Sequence, residues 1–385
     1  MLNFNFYNPT HIAFGKDILD QLNSLVPLNA KVLITYGGGS VKKFGTLDKV
    51  IENLPGREIF EFGGIEPNPQ YDTLMKAVAI AKKENVDFLL AVGGGSVMDG
   101  TKFIALASKY EGDCLDLLTP DFDLAPVDSA IPLGTVVTLP ATGSEMNNGA
   151  VISHKNLKVP VFSMHTFPKF SILDPTLTFT LPKTQVANGI IDTFIHTVEQ
   201  YVTYPVDARF QDRTAEGILK TLIEIGKTTL EEPTNYDARA NLVWCATMAL
   251  NGLIGAGVPQ DWTTHMIGHE VTAMFGVDHG KTLAILQPAI WEVRKDKKRE
   301  KLIQYAERVW NIEEVNNDLK IKQAIDKTRS FFEELGVKTH LSDYGITEEK
   351  IEDLVKALEI NHRTSLSETE DLTLEISREI LKKAL

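Results

Sequence analysis

Two short apolar segments of the chain each lead directly into the same four residues, GGGS. The segment Lys31–Tyr36 (KVLITY) precedes GGGS at 37–40, and the segment Val86–Val92 (VDFLLAV) precedes GGGS at 93–96. Short runs rich in β-branched and aliphatic residues are typical of buried strands, and glycines mark the turns that follow them. The repeated pattern therefore predicts strands that each end in a tight turn before a helix.

Helix-like segments alternate with the strand-like runs up to about residue 180. The segments Tyr71–Lys83 and Val97–Ser108 have helical periodicity, and Ile131–Leu139 is a third strand-like run. Strands that are apolar on both faces and separated by helices favour a mainly parallel sheet covered on both sides. We predict an α/β domain over residues 1–181.

The pattern changes after Pro182. Long segments of 3.6-residue periodicity follow, among them Ala238–Leu253, Glu300–Trp310 and Ala324–Leu335, with almost no strand-like alternation. We therefore predict an all-helical domain over residues 182–385, and the cleft between the two domains as the expected place for a ligand.

Composition excludes several classes of protein. The chain has 385 residues, 43% of them hydrophobic, and a net charge of -13. No block of Lys and Arg is long enough to follow a phosphate backbone, so nucleic acid is not an expected partner. Two cysteines without CxxC spacing predict neither a disulfide framework nor a thiolate metal site. With no signal-peptide pattern and no membrane-spanning run, we expect a cytoplasmic protein that does not associate with membranes.

Three predicted strand ends carry residues suited to a phosphate-bearing ligand. Glycines let the backbone approach a phosphate, and the helix that follows offers unpaired N–H groups. Neither GGGS run fits G-x-G-x-x-G, because Lys42 and Met98 occupy the last-glycine positions. The segment 138–145 (TLPATGSE) places hydroxyls and a glycine after the third strand. Tight turns alone would explain each run, but three strand ends together predict an edge along which a nucleotide binds.

Histidines and an aspartate in the C-terminal half have spacings that suit a metal site. Asp192 and His196 are four residues apart, as are His265 and His269, and His279 follows. Such pairs lie on one face of a helix, and imidazole with carboxylate suits Zn²⁺ or Fe²⁺. The alternative is that these side chains are ordinary buried or solvent-facing groups. A zinc-protease HExxH motif is excluded, because Ala273 stands where its second histidine is required.

Five motifs occur in the order and spacing of one known family: VLITYGGGSVKK, GGGSVMDGTK, TLPATGSE, NGIIDTFIHTVEQY and THMIGHEVTAMFGVDHGKTLAI. With them the chain resembles the iron-containing alcohol dehydrogenase family over essentially its whole length. Within the family it is most similar to the branch of NADPH-dependent aldehyde reductases and butanol dehydrogenases. The resemblance implies a dinucleotide-binding α/β domain, a helical metal-binding domain with one divalent ion, Fe²⁺ or Zn²⁺, in the cleft, and a homodimer.

The resemblance also implies roles for individual residues. The metal ligands would be Asp192, His196, His265 and His279, with His269 beside the ion but outside its ligand set. Residues expected along the cofactor are Gly37, Gly38, Gly39, Ser40, Asn68, Gly94, Gly95, Ser96, Asp99, Thr138, Thr142, Asn147 and Lys158.

One departure from NAD-using relatives concerns the cofactor. Those relatives tend to place an aspartate where this chain has GGGS at 37–40, and that carboxylate would repel a 2′-phosphate. Here backbone N–H groups and Ser40, with Lys42 or Lys43 nearby, are able to bind the phosphate. The sequence thus predicts a preference for NADP(H).

The implied reaction is reduction of an aldehyde to a primary alcohol, and its reverse. Hydride from the nicotinamide reaches the carbonyl carbon while a metal ion stabilises the oxygen, and His269 is the candidate proton donor. The alternatives are an NAD-dependent polyol or glycerol-type dehydrogenase of the same superfamily and, from another class, a metal-dependent hydrolase or lyase.

Overall fold

A computed structural model of the chain describes residues 1–118, 127–155 and 157–385. The described chain divides into two compact units. One, here the sheet unit, comprises Tyr7–Leu181 and Pro233–Thr247. The other, the helical unit, comprises Met1–Phe6, Pro182–Glu232 and Met248–Leu385.

The sheet unit contains, among the described residues, a six-stranded parallel sheet and a separate antiparallel hairpin. The strands are β1 (His11–Phe14), β2 (Lys31–Tyr36), β3 (Glu58–Phe62), β4 (Phe88–Gly93), β5 (Leu133–Val137), β6 (Gly149–His154), β7 (Leu157–Phe162) and β8 (Phe170–Leu173). The order in the parallel sheet is β1-β8-β5-β4-β2-β3, and β6 pairs with β7. Tyr36 of β2 is in register with Val92 of β4, whose neighbour Gly93 is in register with Val137 of β5.

Helices cover both faces of this sheet. They are α1 (Leu22–Leu25), α2 (Ser40–Lys43), α3 (Thr46–Glu52), α4 (Tyr71–Lys83) and α5 (Gly95–Ala107). Alternate residues of β2 enter different cores: Leu33 packs with residues of α4 and α5, whereas Val32 and Ile34 pack with residues of α1 and α3. This burial on both faces explains why β2 and β4 are largely apolar.

The two GGGS runs flank the point where the sheet changes its direction of winding. The chain passes from β2 to β3 on one side and from β4 to β5 on the other, while β2 and β4 are neighbours. Crevices at the carboxyl ends of such strands are the usual ligand sites of open α/β sheets. The topology therefore directs attention to the ends of β2, β4 and β5.

The rest of the described chain after residue 182 is helical. Its helices are α6 (Lys183–Tyr201), α7 (Arg209–Glu231), α8 (Tyr236–Ala249), α9 (Thr263–Phe275), α10 (His279–Arg294), α11 (Arg299–Arg308), α12 (Asn317–Glu334), α13 (Ile351–Ile360) and α14 (Leu374–Lys383). Most of α8 belongs to the sheet unit. In the helical unit, α9, α10, α13 and α14 share one apolar core. No helix within the described ranges combines the length and apolarity needed to cross a bilayer.

The mainly parallel sheet and the helical C-terminal part confirm the predicted fold class. The bounds of Lys31–Tyr36 and Tyr71–Lys83 are as predicted, whereas the strand predicted at Ile131–Leu139 is shorter, Leu133–Val137. Pro132 and Pro140 flank the shorter strand, and proline has no N–H to donate to a sheet.

Candidate functional site

Helices α6, α9 and α10 of the helical unit carry the four predicted metal ligands. Asp192 and His196 are one turn apart on α6, His265 lies on α9, and His279 is the first residue of α10. Gly276 ends α9 with a left-handed φ of 67°, a conformation that glycine adopts without strain. The chain then turns sharply enough for α10 to begin at His279, beside α9.

One carboxylate oxygen lies at the centre of these side chains. Asp192 Oδ1 is 3.5 Å from His196 Nε2, 3.6 Å from His265 Nε2 and 3.7 Å from His279 Nε2. The side chains of Asp192, His196 and His265 are at most 8% exposed, and that of His279 is 27% exposed. The fold thus brings together, from three helices, the four residues named as ligands by the sequence.

The distances between these side chains suit the ligands of a divalent cation better than hydrogen bonds among the side chains themselves. Asp192 Oδ1 and His265 Nε2 are buried, and neither has a hydrogen-bond partner among the described residues. Distances of 3.5–3.7 Å are too long for good hydrogen bonds. They are close to the spacing of neighbouring ligand atoms, about 3.3–3.6 Å, around a tetrahedral ion with bonds of about 2.0–2.2 Å. Among the described residues, the ligand atoms that all lie within 4.8 Å of one another belong to Asp192, His265 and His279, so His196 approaches Asp192 Oδ1 but not every other candidate ligand atom.

Glu199 completes the cluster and was not predicted from the sequence. It lies on α6, and its buried carboxylate accepts a short hydrogen bond from His265 Nδ1 and another, of 2.7 Å, from the backbone N–H of Thr264. A carboxylate on the far nitrogen of a metal-binding histidine holds the proton at Nδ1 and leaves Nε2 for the ion. Its position one turn beyond His196 was a signal for its role, since both lie on the same face of α6.

Charges within the cluster oppose the effect of burial. Burial alone would raise the pKa of Asp192, but the imidazoles of His196, His265 and His279 hold that pKa below its usual range. Burial would lower the pKa of His265, whereas Glu199 and Asp192 raise it to about 9. Burial raises the pKa of Glu199 despite the opposing charge of His265. Asp192 therefore stays ionised, as a metal ligand must.

His269 lies beside the four ligand candidates. It is buried on α9, and its ring centroid is 6.3 Å from that of His265 and 5.4 Å from that of His279. His269 is thus near enough to act on a molecule bound at the cluster.

In the sheet unit, the predicted cofactor residues follow three neighbouring parallel strands. Gly37, Gly38, Gly39 and Ser40 follow β2, Gly94, Gly95 and Ser96 follow β4, and Thr138 and Thr142 follow β5. The turn that contains Asn68 also reaches this edge, since the Asn68 N–H donates to Ser96 Oγ over 3.3 Å. The backbone of Asn68 has a φ of 58° there. The three strand ends thus form one edge, as the sequence predicted.

The glycines at this edge meet different surroundings. A Cβ on Gly95 would lie 2.6 Å from Thr142 Oγ1, so only glycine fits beside that threonine. A Cβ on Gly38 or Gly39 would have no heavy atom within 4 Å, and Gly39 has a φ of 97°. The first turn therefore presents bare backbone beside open space, which is the cradle that a phosphate group requires.

Asp99 and Asn147 are joined by a buried lysine that the sequence prediction missed. Lys102 Nζ donates to Asn147 Oδ1 over 2.9 Å and to Ser144 Oγ over 2.9 Å. Ser144 Oγ in turn donates to Asp99 Oδ1 over 2.7 Å. Lys158 of β7 lies near enough to act on the charge of Asp99. The sequence did contain a signal for Lys102, because a single lysine stands three residues after Asp99 and directly before the apolar run FIALA.

Burial dominates the electrostatics of this network. It raises the pKa of Asp99, against the charge of Lys102, the hydroxyl of Ser144 and the N–H of Val151. It lowers the pKa of Lys102 to about 8, against the charges of Asp99 and Glu145. At neutral pH the ammonium form of Lys102 still predominates, so it can donate three hydrogen bonds.

Comparison with protein families agrees with these features. Residues 9–175 match the model of the iron-containing alcohol dehydrogenases, and residues 186–385 match the C-terminal model of the Fe-containing alcohol dehydrogenase family. The chain belongs to the iron-containing alcohol dehydrogenase family. The resemblance predicted from the five motifs is therefore confirmed, and the chain is an oxidoreductase of this family.

Individual members of the family are similar over almost the entire chain. The NADPH-dependent aldehyde reductase YqhD of Escherichia coli is 58% identical, with 100% of both sequences covered. The NADP-dependent alcohol dehydrogenase 3 of Entamoeba histolytica is 40% identical, with 94% of each covered. The crystal structure of NADH-dependent butanol dehydrogenase A from Thermotoga maritima is 36% identical, has a TM-score of 0.94, and is matched over 100% of this chain and 99% of that one.

Proposed function

We propose that this protein reduces aldehydes to primary alcohols with NADPH, and catalyses the reverse reaction, using one divalent metal ion. The observation that carries the proposal is the convergence of three imidazole nitrogens on Asp192 Oδ1 in a member of this family. We assign dinucleotide binding to residues 1–181 and metal binding to residues 182–385. The similarity to the aldehyde reductase YqhD supports the reaction and the cofactor.

The arrangement of side chains suits this reaction. Negative charge develops on a carbonyl oxygen as hydride reaches the carbon. When bound, the ion would supply Lewis-acid stabilisation at that oxygen, and NADPH would supply the hydride. Asp192, His196, His265 and His279 would hold the ion, with Glu199 keeping the His265 proton on Nδ1. An imidazole N–H of His269 donates the proton that the product oxygen needs.

Three substitutions test the metal site and the role of His269. In Asp192→Ala and His265→Ala we expect loss of both bound metal and turnover, because each removes a ligand. In His269→Ala we expect metal content to remain while the rate falls about 10²–10⁴-fold, the usual contribution of a positioned proton donor. Metal loss in His269→Ala would instead make it a ligand, and wild-type metal content in the other two variants would contradict the site.

The measurements are metal analysis of the purified protein and NADPH oxidation at 340 nm with aldehydes of increasing chain length. We propose Fe²⁺ or Zn²⁺ as the ion, since a nitrogen and oxygen ligand set suits both, and metal analysis distinguishes them. Faster turnover of glycerol with NAD than of butanal with NADPH would support the polyol dehydrogenase alternative. Metal-dependent hydrolysis without any change at 340 nm would overturn the redox proposal.

We propose that NADPH is preferred because the turn after β2 lacks a carboxylate. The names of the relatives are divided between NADP(H) and NADH, so family membership alone leaves this choice open. Of the two nearby lysines, Lys42 is paired with Glu61 at 2.8 Å and lies 5.0 Å from the centre of the Tyr36 ring. Ser40, the backbone N–H groups and Lys43 are therefore our candidates for the 2′-phosphate.

Gly38→Asp tests the cofactor preference without a steric clash, since a Cβ at Gly38 meets nothing within 4 Å and its φ is outside the left-handed region. We expect kcat/KM for NADPH to fall and the ratio of NADH to NADPH efficiency to rise by about tenfold or more, as one charge repulsion is added. Asn29→Asp, in an exposed turn at the opposite end of β2, adds the same charge as a control. No gain for NADH relative to NADPH would refute this explanation.

We propose that the protein is a cytoplasmic homodimer. Apolar side chains at the start of the chain support the dimer: Leu2, Phe4 and Phe6 are each nearly half exposed, although each is large and apolar. Light scattering after size-exclusion chromatography measures the oligomeric state, and a monomer mass would contradict the dimer. Cys114 and Cys245 are both buried and form no disulfide, which is in keeping with a reducing compartment. Cell fractionation tests the location.

A further inference from the structure

Lys102 is a charged side chain in an otherwise apolar part of the sheet unit. It lies on α5 with no exposed surface, and the next five residues of that helix are also buried. Its ammonium group donates to Ser144 Oγ, to Asn147 Oδ1 and to the Gly149 carbonyl, over 2.9, 2.9 and 2.8 Å. All three N–H bonds of the ammonium are therefore directed at the segment that follows the end of β5.

These contacts determine the orientations of two partly exposed side chains, Asn147 and Asp99. Asn147 Oδ1 accepts from Lys102 and also from the Gly149 N–H at 3.1 Å, so its amide oxygen faces inward and its NH₂ group is turned away from the lysine. The Asp99 carboxylate accepts from Ser144 Oγ and from the Val151 N–H, at 2.7 and 2.8 Å. Lys102 thus fixes Asn147 directly and Asp99 through Ser144.

Lys102 does more than balance the negative charges near it. Removing an ammonium from water is costly, and here the carboxylates of Asp99 and Glu145 offset part of that cost. An apolar side chain could not orient the amide of Asn147, nor could it orient the carboxylate of Asp99 through the hydroxyl of Ser144. Both of these groups are among the residues that we assign to cofactor binding.

We propose that Lys102 is a positioning residue for the nicotinamide cofactor, acting through Asn147 and through Ser144 to Asp99. The network holds the Asn147 amide and the Asp99 carboxylate in fixed orientations, so that the cofactor binds without first ordering them. This inference rests on the proposed function, because it takes NADPH as the ligand.

Lys102→Met tests the inference, because methionine is of similar length and donates no hydrogen bond. NADPH affinity of the metal-loaded protein is measured by the change in nucleotide fluorescence, together with metal content, thermal stability and steady-state kinetics. We expect the dissociation constant for NADPH to rise about tenfold or more, the order of effect of one lost hydrogen bond to the ligand. Metal content and the KM for aldehyde at saturating NADPH should be unchanged.

Two further variants make the test specific. Ser144→Ala removes the route to Asp99 together with one acceptor of the Lys102 ammonium, and it leaves the contact with Asn147 in place. It should therefore weaken NADPH binding less than Lys102→Met does, and it decides the question if Lys102→Met fails to fold. Lys109→Met removes an exposed lysine just beyond the end of α5 and should bind NADPH like the wild type. In an Asn147→Ala background, Lys102→Met should have a smaller effect on NADPH affinity, because one of its two routes is already absent.

The outcomes separate this inference from the proposed function. A wild-type protein that binds no NADPH would overturn both. A wild-type protein that binds NADPH, with folded Lys102→Met and Ser144→Ala binding it equally well, would overturn only the role of Lys102. An equal loss of affinity in the presence and absence of Asn147, accompanied by a lower melting temperature, would show that Lys102 acts only through stability.

Discussion

Substituting Glu199 by Gln is the sharpest test of how the helical unit prepares its proposed metal site. The two carboxylate oxygens have different partners: Oε1 accepts from the backbone N–H groups of Thr264 and His265 at 2.7 and 3.3 Å, and Oε2 accepts from His265 Nδ1. Glutamine has one oxygen and one NH₂ group, so it can serve only one of these sides. In one orientation the glutamine NH₂ group faces the two backbone N–H donors of α9. In the other orientation it faces the His265 imidazole.

Each arrangement weakens the site for a stated reason. If the NH₂ group faces His265, Nδ1 must accept, and the proton moves to Nε2, where it prevents binding of the ion. If it faces the backbone, two N–H groups at the first turn of α9 lose their acceptor in a buried place. Removal of such a partner typically costs tenfold to hundredfold in metal affinity, or about 1.4–2.7 kcal/mol.

The assay is titration of the metal-free protein with Zn²⁺ in competition with a fluorescent chelator, with thermal unfolding followed in parallel. Glu231→Gln is the matched control, because Glu231 is exposed and its contact with Lys227 is 3.7 Å long at the surface. We expect Glu199→Gln to bind Zn²⁺ at least tenfold more weakly and Glu231→Gln to bind it as the wild type does. A folded Glu199→Gln protein with wild-type Zn²⁺ affinity would refute the argument.

Three further predictions follow from the packing of the helical unit and from its proposed metal site. Gly280→Ala should destabilise the protein by about 1–3 kcal/mol in urea unfolding and weaken Zn²⁺ binding, since its Cβ would lie 2.8 Å from the Asn188 backbone. Gly217→Ala, with no heavy atom within 4 Å, should be neutral or stabilise by up to about 1 kcal/mol, and a similar loss in both variants would contradict the packing argument. Lys298→Met should lower the free energy of unfolding by about 3–5 kcal/mol, because the buried carboxylates of Asp261 and Glu368, each 2.8 Å from Nζ, lose their cation. A loss below about 1 kcal/mol would show that these carboxylates are not held as ions. Removing the metal with a chelator should abolish aldehyde reduction but preserve NADPH binding, and full activity of metal-free protein would exclude a catalytic ion.

Local patterns in the sequence predicted many of the elements, and the resemblance carried by the five motifs predicted the kind of chemistry. A short run of β-branched and aliphatic residues located β2, and a 3.6-residue period located α4, both with their observed bounds. Glycines after β2 and β4 marked the turns for the same local reason. The spacing of Asp192 and His196 placed both on one face of α6, since four residues make about one helical turn.

Only the tertiary structure decided which of these side chains meet. The pairs Asp192 with His196 and His265 with His269 have the same spacing, so periodicity could not say which imidazoles approach the Asp192 carboxylate. Glu199 reaches His265 across 66 positions of the chain, and Lys102 reaches Asn147 across 45. Such contacts depend on how separate helices and turns pack, and packing is set by the complementary shapes of whole surfaces rather than by any short stretch of residues.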